Sequence, residues 1–142
     1  MSRVLYEIRA RGYHLLTTGS QAVTRRSGSY YGLDYLLDLD GEIFPLDDGH
    51  WARIQVQSIR QDRRRPHGIK YSLTLHDSSN HRVLGYDNAH AFKPSGHGFG
   101  KMRESWDHVH QAGRVKPYRF SSPARLLVDF WKDVNEYLGV EL

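Results

Sequence analysis

The sequence predicts an α+β fold, a mostly antiparallel β-sheet with a C-terminal amphipathic helix packed on one face. Two observations carry this expectation. Between Ala52 and Asp87 three runs alternate apolar and polar side chains, the period of a half-buried strand. From Ser122 to Gly139 apolar residues instead recur at three-to-four spacing between a start and a stop signal. A sheet that is apolar on one side and a helix with one apolar stripe bury those surfaces against each other.

The elements follow in chain order. Val4, Tyr6 and Ile8 alternate like a strand, but Leu5 and Ile8 also suit a short helix, so residues 3–16 stay ambiguous. Ser20–Ser29 is polar and Gly-containing, and reads as a loop. Tyr30–Leu39 carries apolar residues on both parities, so its period does not classify it. Leu46-Asp-Asp-Gly-His50 marks a turn, because Asp-Gly accepts positive φ. Ala52, Ile54 and Val56 then alternate with Arg53, Gln55 and Gln57, and Gln61–Gly68 forms a basic loop. Ile69, Tyr71, Leu73 and Leu75 alternate with Lys70, Ser72, Thr74 and His76, the cleanest strand pattern in the chain. Asp77–Asn80 turns it back into a partner strand, His81–Asp87. Lys93–Arg103 is rich in Gly, Pro and Lys and reads as a mobile loop. Ser122 suits an N-cap and Pro123 the first helical position, while Leu127, Phe130, Trp131, Val134 and Leu138 form the apolar stripe and Gly139 ends it.

At 142 residues the chain is expected to be a single domain, with 1–50 a variable N-terminal part and 51–142 the sheet plus helix. No run approaches the roughly 20 apolar residues of a membrane span. The first residues lack the apolar stretch of a secretion signal, so a cytoplasmic location is expected. With no cysteine, disulfides, thiolate metal sites and cysteine nucleophiles are all excluded. The net charge of +4 hides an asymmetry: Ser27–Ala52 holds six acids and no Lys or Arg, whereas Arg53–Phe120 holds thirteen Lys and Arg against five acids. Such a basic half suits RNA or another nucleic acid, whose phosphates supply most sequence-independent affinity. A merely solvated charged surface is the plainer alternative.

Candidate chemistry centres on Asp107-His-Val-His110. In an extended segment His108 and His110 project to the same side. One imidazole can take a proton and the other return it, which suits RNA cleavage through the 2′-hydroxyl without a metal. Asp107 or Asp87 could orient a ring, and Tyr86 lies beside Asp87 as a further candidate. Arg63, Arg64, Arg65, Lys70 and Arg119 are candidates for holding phosphate. The same histidines with Asp87 and His90 also offer a ligand set for a divalent metal. With nine histidines in the chain, a His-x-His pair carries little specificity by itself. Structural roles compete throughout: Asp87-Asn88 is a turn-forming pair, and Tyr86 suits packing.

Six short motifs, in order, resemble the TumE family of toxin–antitoxin toxins. They are Arg64-Arg-Pro-His-Gly, Ile69-Lys-Tyr-Ser-Leu73, Gly85-Tyr-Asp-Asn88, Asp107-His-Val-His110, Lys116-Pro-Tyr-Arg-Phe120 and Leu126-Leu-Val-Asp-Phe130. The connection from Asn88 to Asp107 and the first 50 residues are longer than that pattern, and a longer uncharacterised sibling family is similar in both respects. The resemblance implies a toxin-like component beside a helix-turn-helix antitoxin. Carried over by position, it singles out Tyr86, Asp87, Asn88, Asp107, His108, His110 and Tyr118. Joined to the reading of the histidine pair and the basic half, the expected function is a toxin-like component acting on RNA, as a metal-independent endoribonuclease with a histidine pair and no cofactor. A non-catalytic nucleic-acid- or partner-binding domain and a metal-dependent nuclease are the alternatives.

Overall fold

The alternating runs become adjacent strands of a six-stranded antiparallel sheet whose strands follow one another in chain order. The computed structural model describes residues 32–90 and 106–140, so the expectations for residues 3–16 and 20–29 and for the 93–103 loop lie outside the described residues. The strands are β1 (Ile43–Pro45), β2 (Trp51–Ser58), β3 (Ile69–His76), β4 (Arg82–Asp87), β5 (His108–Gln111) and β6 (Arg114–Pro117). Helix α1 (Leu33–Asp38) precedes them and α2 (Pro123–Tyr137) follows. The predicted α+β class is the observed one. The segment that periodicity left unclassified holds α1, and the Asp-Asp-Gly turn joins β1 to β2 through positive φ at Asp48 and Gly49.

Strand alternation divides the sheet into two faces. Ala52, Ile54 and Val56 of β2, Ile69, Tyr71, Leu73 and Leu75 of β3, Leu84 and Tyr86 of β4, and Val109 of β5 are buried in the core. Helix α2 lays Leu126, Leu127, Phe130 and Val134 into that core, and α1 adds Leu36. Trp131 sits at the margin, half-buried, with its ring edge-on to Phe44 at 5.3 Å. Each fully buried large apolar side chain contributes on the order of 1.5–3 kcal/mol.

The ends of α2 follow the sequence signals. Ser122 Oγ accepts the Arg125 N–H at 3.1 Å, with Pro123 following as the first helical residue. At the other end Val140 N–H donates to the Asn135 carbonyl at 2.9 Å and Gly139 N–H to Glu136 at 3.2 Å. That paired closure needs a left-handed residue, which Gly139 supplies at φ 67°. Among the described residues no helix is long and apolar enough to cross a membrane.

The second face, here the outer face, carries Arg53, Gln55, Lys70, Ser72 and Thr74. Register places Ser72 opposite Asp87, Asp87 opposite His108, and Gly85 opposite His110, so those residues share that face. One irregularity interrupts the pattern. Leu75 pairs with Leu84 but His76 pairs with Arg82, so Val83 is an extra residue in β4. Val83 packs against the core, and the strand's parity is reversed beyond it.

Candidate functional site

The Tyr86-Asp87-Asn88 corner sends its three side chains to three destinations. Tyr86 points to the core face and donates its hydroxyl to Asp133 of α2 at 2.5 Å. Asp87 points to the outer face. Asn88, fully buried, continues the sheet with its side chain: Oδ1 accepts Tyr71 N–H at 2.9 Å and Nδ2 donates to the Ile69 carbonyl at 2.7 Å.

On the outer face Asp87, His108 and His110 meet. One ligand-type atom from each lies within 4.8 Å of the others. His108 and Asp87 are 5 % and 9 % exposed, whereas His110 is half-buried and opens the group toward the surface. The ring orientations are fixed from behind. His108 Nδ1 lies 2.9 Å from the Trp106 carbonyl, which can only accept, so Nδ1 holds a proton and donates it. In the neutral ring Nε2 is then a bare lone pair, 3.0 Å from His110 Nε2 and 3.5 Å from Asp87 Oδ1. Burial, followed by the positive charge of Arg82 and the neighbouring His108 imidazole, holds the His110 imidazole below its ordinary pKa and favours its neutral form.

The basic loop supports this arrangement. The guanidinium groups of Arg64 and Arg65 both lie over the Trp106 ring at 4.9 Å. Arg65 also donates to the carbonyls of Asn88 and Ala89 at 2.9 and 3.0 Å. Asp62 Oδ1 accepts the backbone N–H groups of Arg64 and Arg65 at 2.8 and 2.7 Å, closing the loop. Arg65 is thus committed to backbone, and the loop fixes the tryptophan whose carbonyl fixes His108. Arg63 and Arg119 are exposed on connections, and Lys70 is exposed on the outer face of β3.

Two candidates from the sequence lie on the opposite face. Asp107 accepts the Tyr71 hydroxyl at 2.7 Å and approaches His67 Nε2 at 3.1 Å. Because Ile69 N–H donates to His67 Nδ1 at 3.3 Å, the proton is on Nε2 and is given to Asp107. Asp107 therefore orients His67, not His108. Burial, then the neighbouring Asp107 carboxylate, pushes the Tyr71 phenol well above its ordinary pKa. Tyr86 and Tyr118 are raised in the same way, by burial and then by donation to Asp133 and Asp129. These phenols remain protonated donors rather than bases. Tyr86→Phe should cost about 1–2 kcal/mol of stability and leave the outer-face group intact, which denaturant unfolding and metal titration together would check. His90 is exposed and is not one of the three converging residues.

Sequence reasoning missed Arg82. From where a Cβ would stand at Gly85, Arg82 Cδ, Nε and Cζ lie at 3.3, 3.6 and 3.8 Å. The guanidinium therefore lies over Gly85, the cross-strand partner of His110.

Fold and site together define an α+β protein with both described helices on one side of a meander sheet and a histidine–aspartate centre on the other. The chain belongs to the family described as Toxin TumE, whose model matches residues 25–138. It is accordingly a toxin-like component of a toxin–antitoxin system, and membership implies an antitoxin as its partner. The match begins well before the Arg64 motif at which the sequence resemblance starts. Neither a curated protein nor a solved structure matches the chain significantly.

Proposed function

We propose that the chain is a toxin acting on RNA through a divalent metal ion held by Asp87, His108 and His110. The observation that carries this reading is the convergence of three ligand atoms within 4.8 Å, one of them the backbone-oriented Nε2 of His108. A histidine whose second nitrogen donates to a carbonyl is the usual support of a metal-binding imidazole. Three protein ligands leave a position for water or a phosphate oxygen, as in catalytic zinc sites. Bonds of about 2.0–2.1 Å at a tetrahedral ion hold two ring nitrogens roughly 3.3 Å apart, and the 3.0 Å found between the histidines is close to that.

The same distance weighs against dividing acid and base between the two rings. An in-line phosphoryl displacement puts entering and leaving oxygens on opposite sides of phosphorus. Groups within hydrogen-bond reach of each would stand on the order of 8 Å apart. A metal needs no such separation. It would polarise a phosphoryl oxygen or activate the attacking hydroxyl, and the basic half of the chain suits the phosphate backbone of a nucleic-acid substrate.

Titrating chelator-treated protein with Zn²⁺ or Mn²⁺ in a calorimeter is expected to give one site per chain. RNA cleavage in vitro should stop with chelator and return with the ion. Cleavage that persists at full rate in chelator would overturn the metal and return the histidine pair to the metal-free role. Salt-sensitive RNA binding without turnover would instead identify a binding module.

A further inference from the structure

We propose that Arg82 is the phosphate-binding residue of this centre, its guanidinium held over Gly85 to grip the RNA backbone beside His110. This rests on Asp87, His108 and His110 being the functional centre and adds the group that would recognise the substrate's charge.

Three independent features of β4 converge on this side chain. The extra residue Val83 turns Arg82 to the outer face; unbroken alternation from Asp87 and Gly85 would have put it on the core face. Gly85 supplies a floor without a side chain, since the arginine's Cδ, Nε and Cζ occupy the space at 3.3–3.8 Å from its missing Cβ. Gly85 also pairs directly with His110, so the guanidinium lies over the cross-strand neighbour of the histidine–aspartate group. Register puts His76 on Arg82's other flank, where its ring stacks on Trp51 at 4.0 Å with 7° between planes.

The chemistry matches the position. Arg82 is exposed, and the ion pairs among the described residues do not include it. An arginine so placed, with a planar fork of donors, is suited to two oxygens of one phosphate. A divalent ion with one carboxylate and two neutral imidazoles would itself keep a net positive charge. Arg82 beside it adds another positive charge, and the sum favours an anionic phosphodiester over a neutral ligand.

The test uses the full chain and a 2′-O-methyl oligoribonucleotide, which lacks the nucleophilic hydroxyl. Arg82→Gln is expected to weaken its binding about 10-fold or more and to reduce the slope of log affinity against log salt by about one. Arg82→Lys should recover the salt slope but only part of the affinity, because the ammonium lacks the fork. Metal affinity should not fall in either variant, since Arg82 is no ligand and its charge opposes the ion's, and thermal unfolding should match the wild type. An unchanged oligonucleotide affinity and slope in Arg82→Gln would overturn the proposal, as would equal losses of oligonucleotide and metal binding, which would make the arginine structural. A wild-type protein that binds oligonucleotide through Arg82 but takes up no metal would remove the metal and keep this assignment.

Discussion

His108→Ala is expected to abolish divalent-metal binding, RNA cleavage and growth inhibition while the sheet stays folded. The loss is large because His108 is the proposed ligand whose orientation is built in. Its Nδ1–H is spent on the Trp106 carbonyl, and its Nε2 faces both His110 and Asp87. Removing it leaves one imidazole and one carboxylate, too few to hold a transition metal against water. Loss of a supporting partner alone costs roughly 10–100-fold in affinity, so loss of a ligand should exceed that. Folding should survive because the ring lies on the face away from α2 and contributes nothing to the Phe130 core. His90→Ala is the matched control, since His90 is exposed and outside the converging group. Calorimetric metal titration and thermal melting of both variants decide the matter. Metal affinity in His108→Ala within threefold of wild type would remove the ion from the site.

Asn88→Ala should produce the largest loss of stability, about 3–5 kcal/mol, from a residue that touches no part of the proposed chemistry. Its side chain is fully buried and satisfies two backbone groups of β3, the Tyr71 N–H and the Ile69 carbonyl. Alanine leaves both unpaired, at about 1–3 kcal/mol each, and opens a small cavity besides. Asn88→Asp is no rescue: it keeps an acceptor for Tyr71 but turns a carboxylate oxygen toward the Ile69 carbonyl. Urea unfolding gives the measurement, and a shift below about 1 kcal/mol would show that water or a rearranged backbone replaces the amide.

Much of the fold was legible because its signals are local. The alternation in β2 and β3, the Asp77–Asn80 turn and the Ser122-Pro123 start of α2 each act within a few residues. Helix α1 was not legible. At six residues it is under two turns long, and its stripe is obscured by apolar residues on both parities. The β5–β6 hairpin also went unread, although Ala112 and Gly113 both take positive φ there.

Of the catalytic candidates, Asp87, His108 and His110 come together and Tyr86 and Asp107 do not. The division is set by the register of β4 on β5, and about twenty residues separate those strands in the sequence. Arg82 was hidden for a different reason. Its placement depends on a bulge, and a bulge is the one event that period-two reasoning cannot anticipate.

The Asp107-His108 junction puts neighbours in the sequence on opposite sides of a single layer. With the register beyond it held, gaining one residue inside β5 would move the His108 imidazole into the place of the carboxylate beside Tyr71, and losing one would move the Asp107 carboxylate into the place of the proposed metal ligand. Insertions between paired strands spare that frame, but odd-numbered length changes within them do not. Tolerance to insertion and deletion in this protein should thus depend on whether the change in length is odd or even.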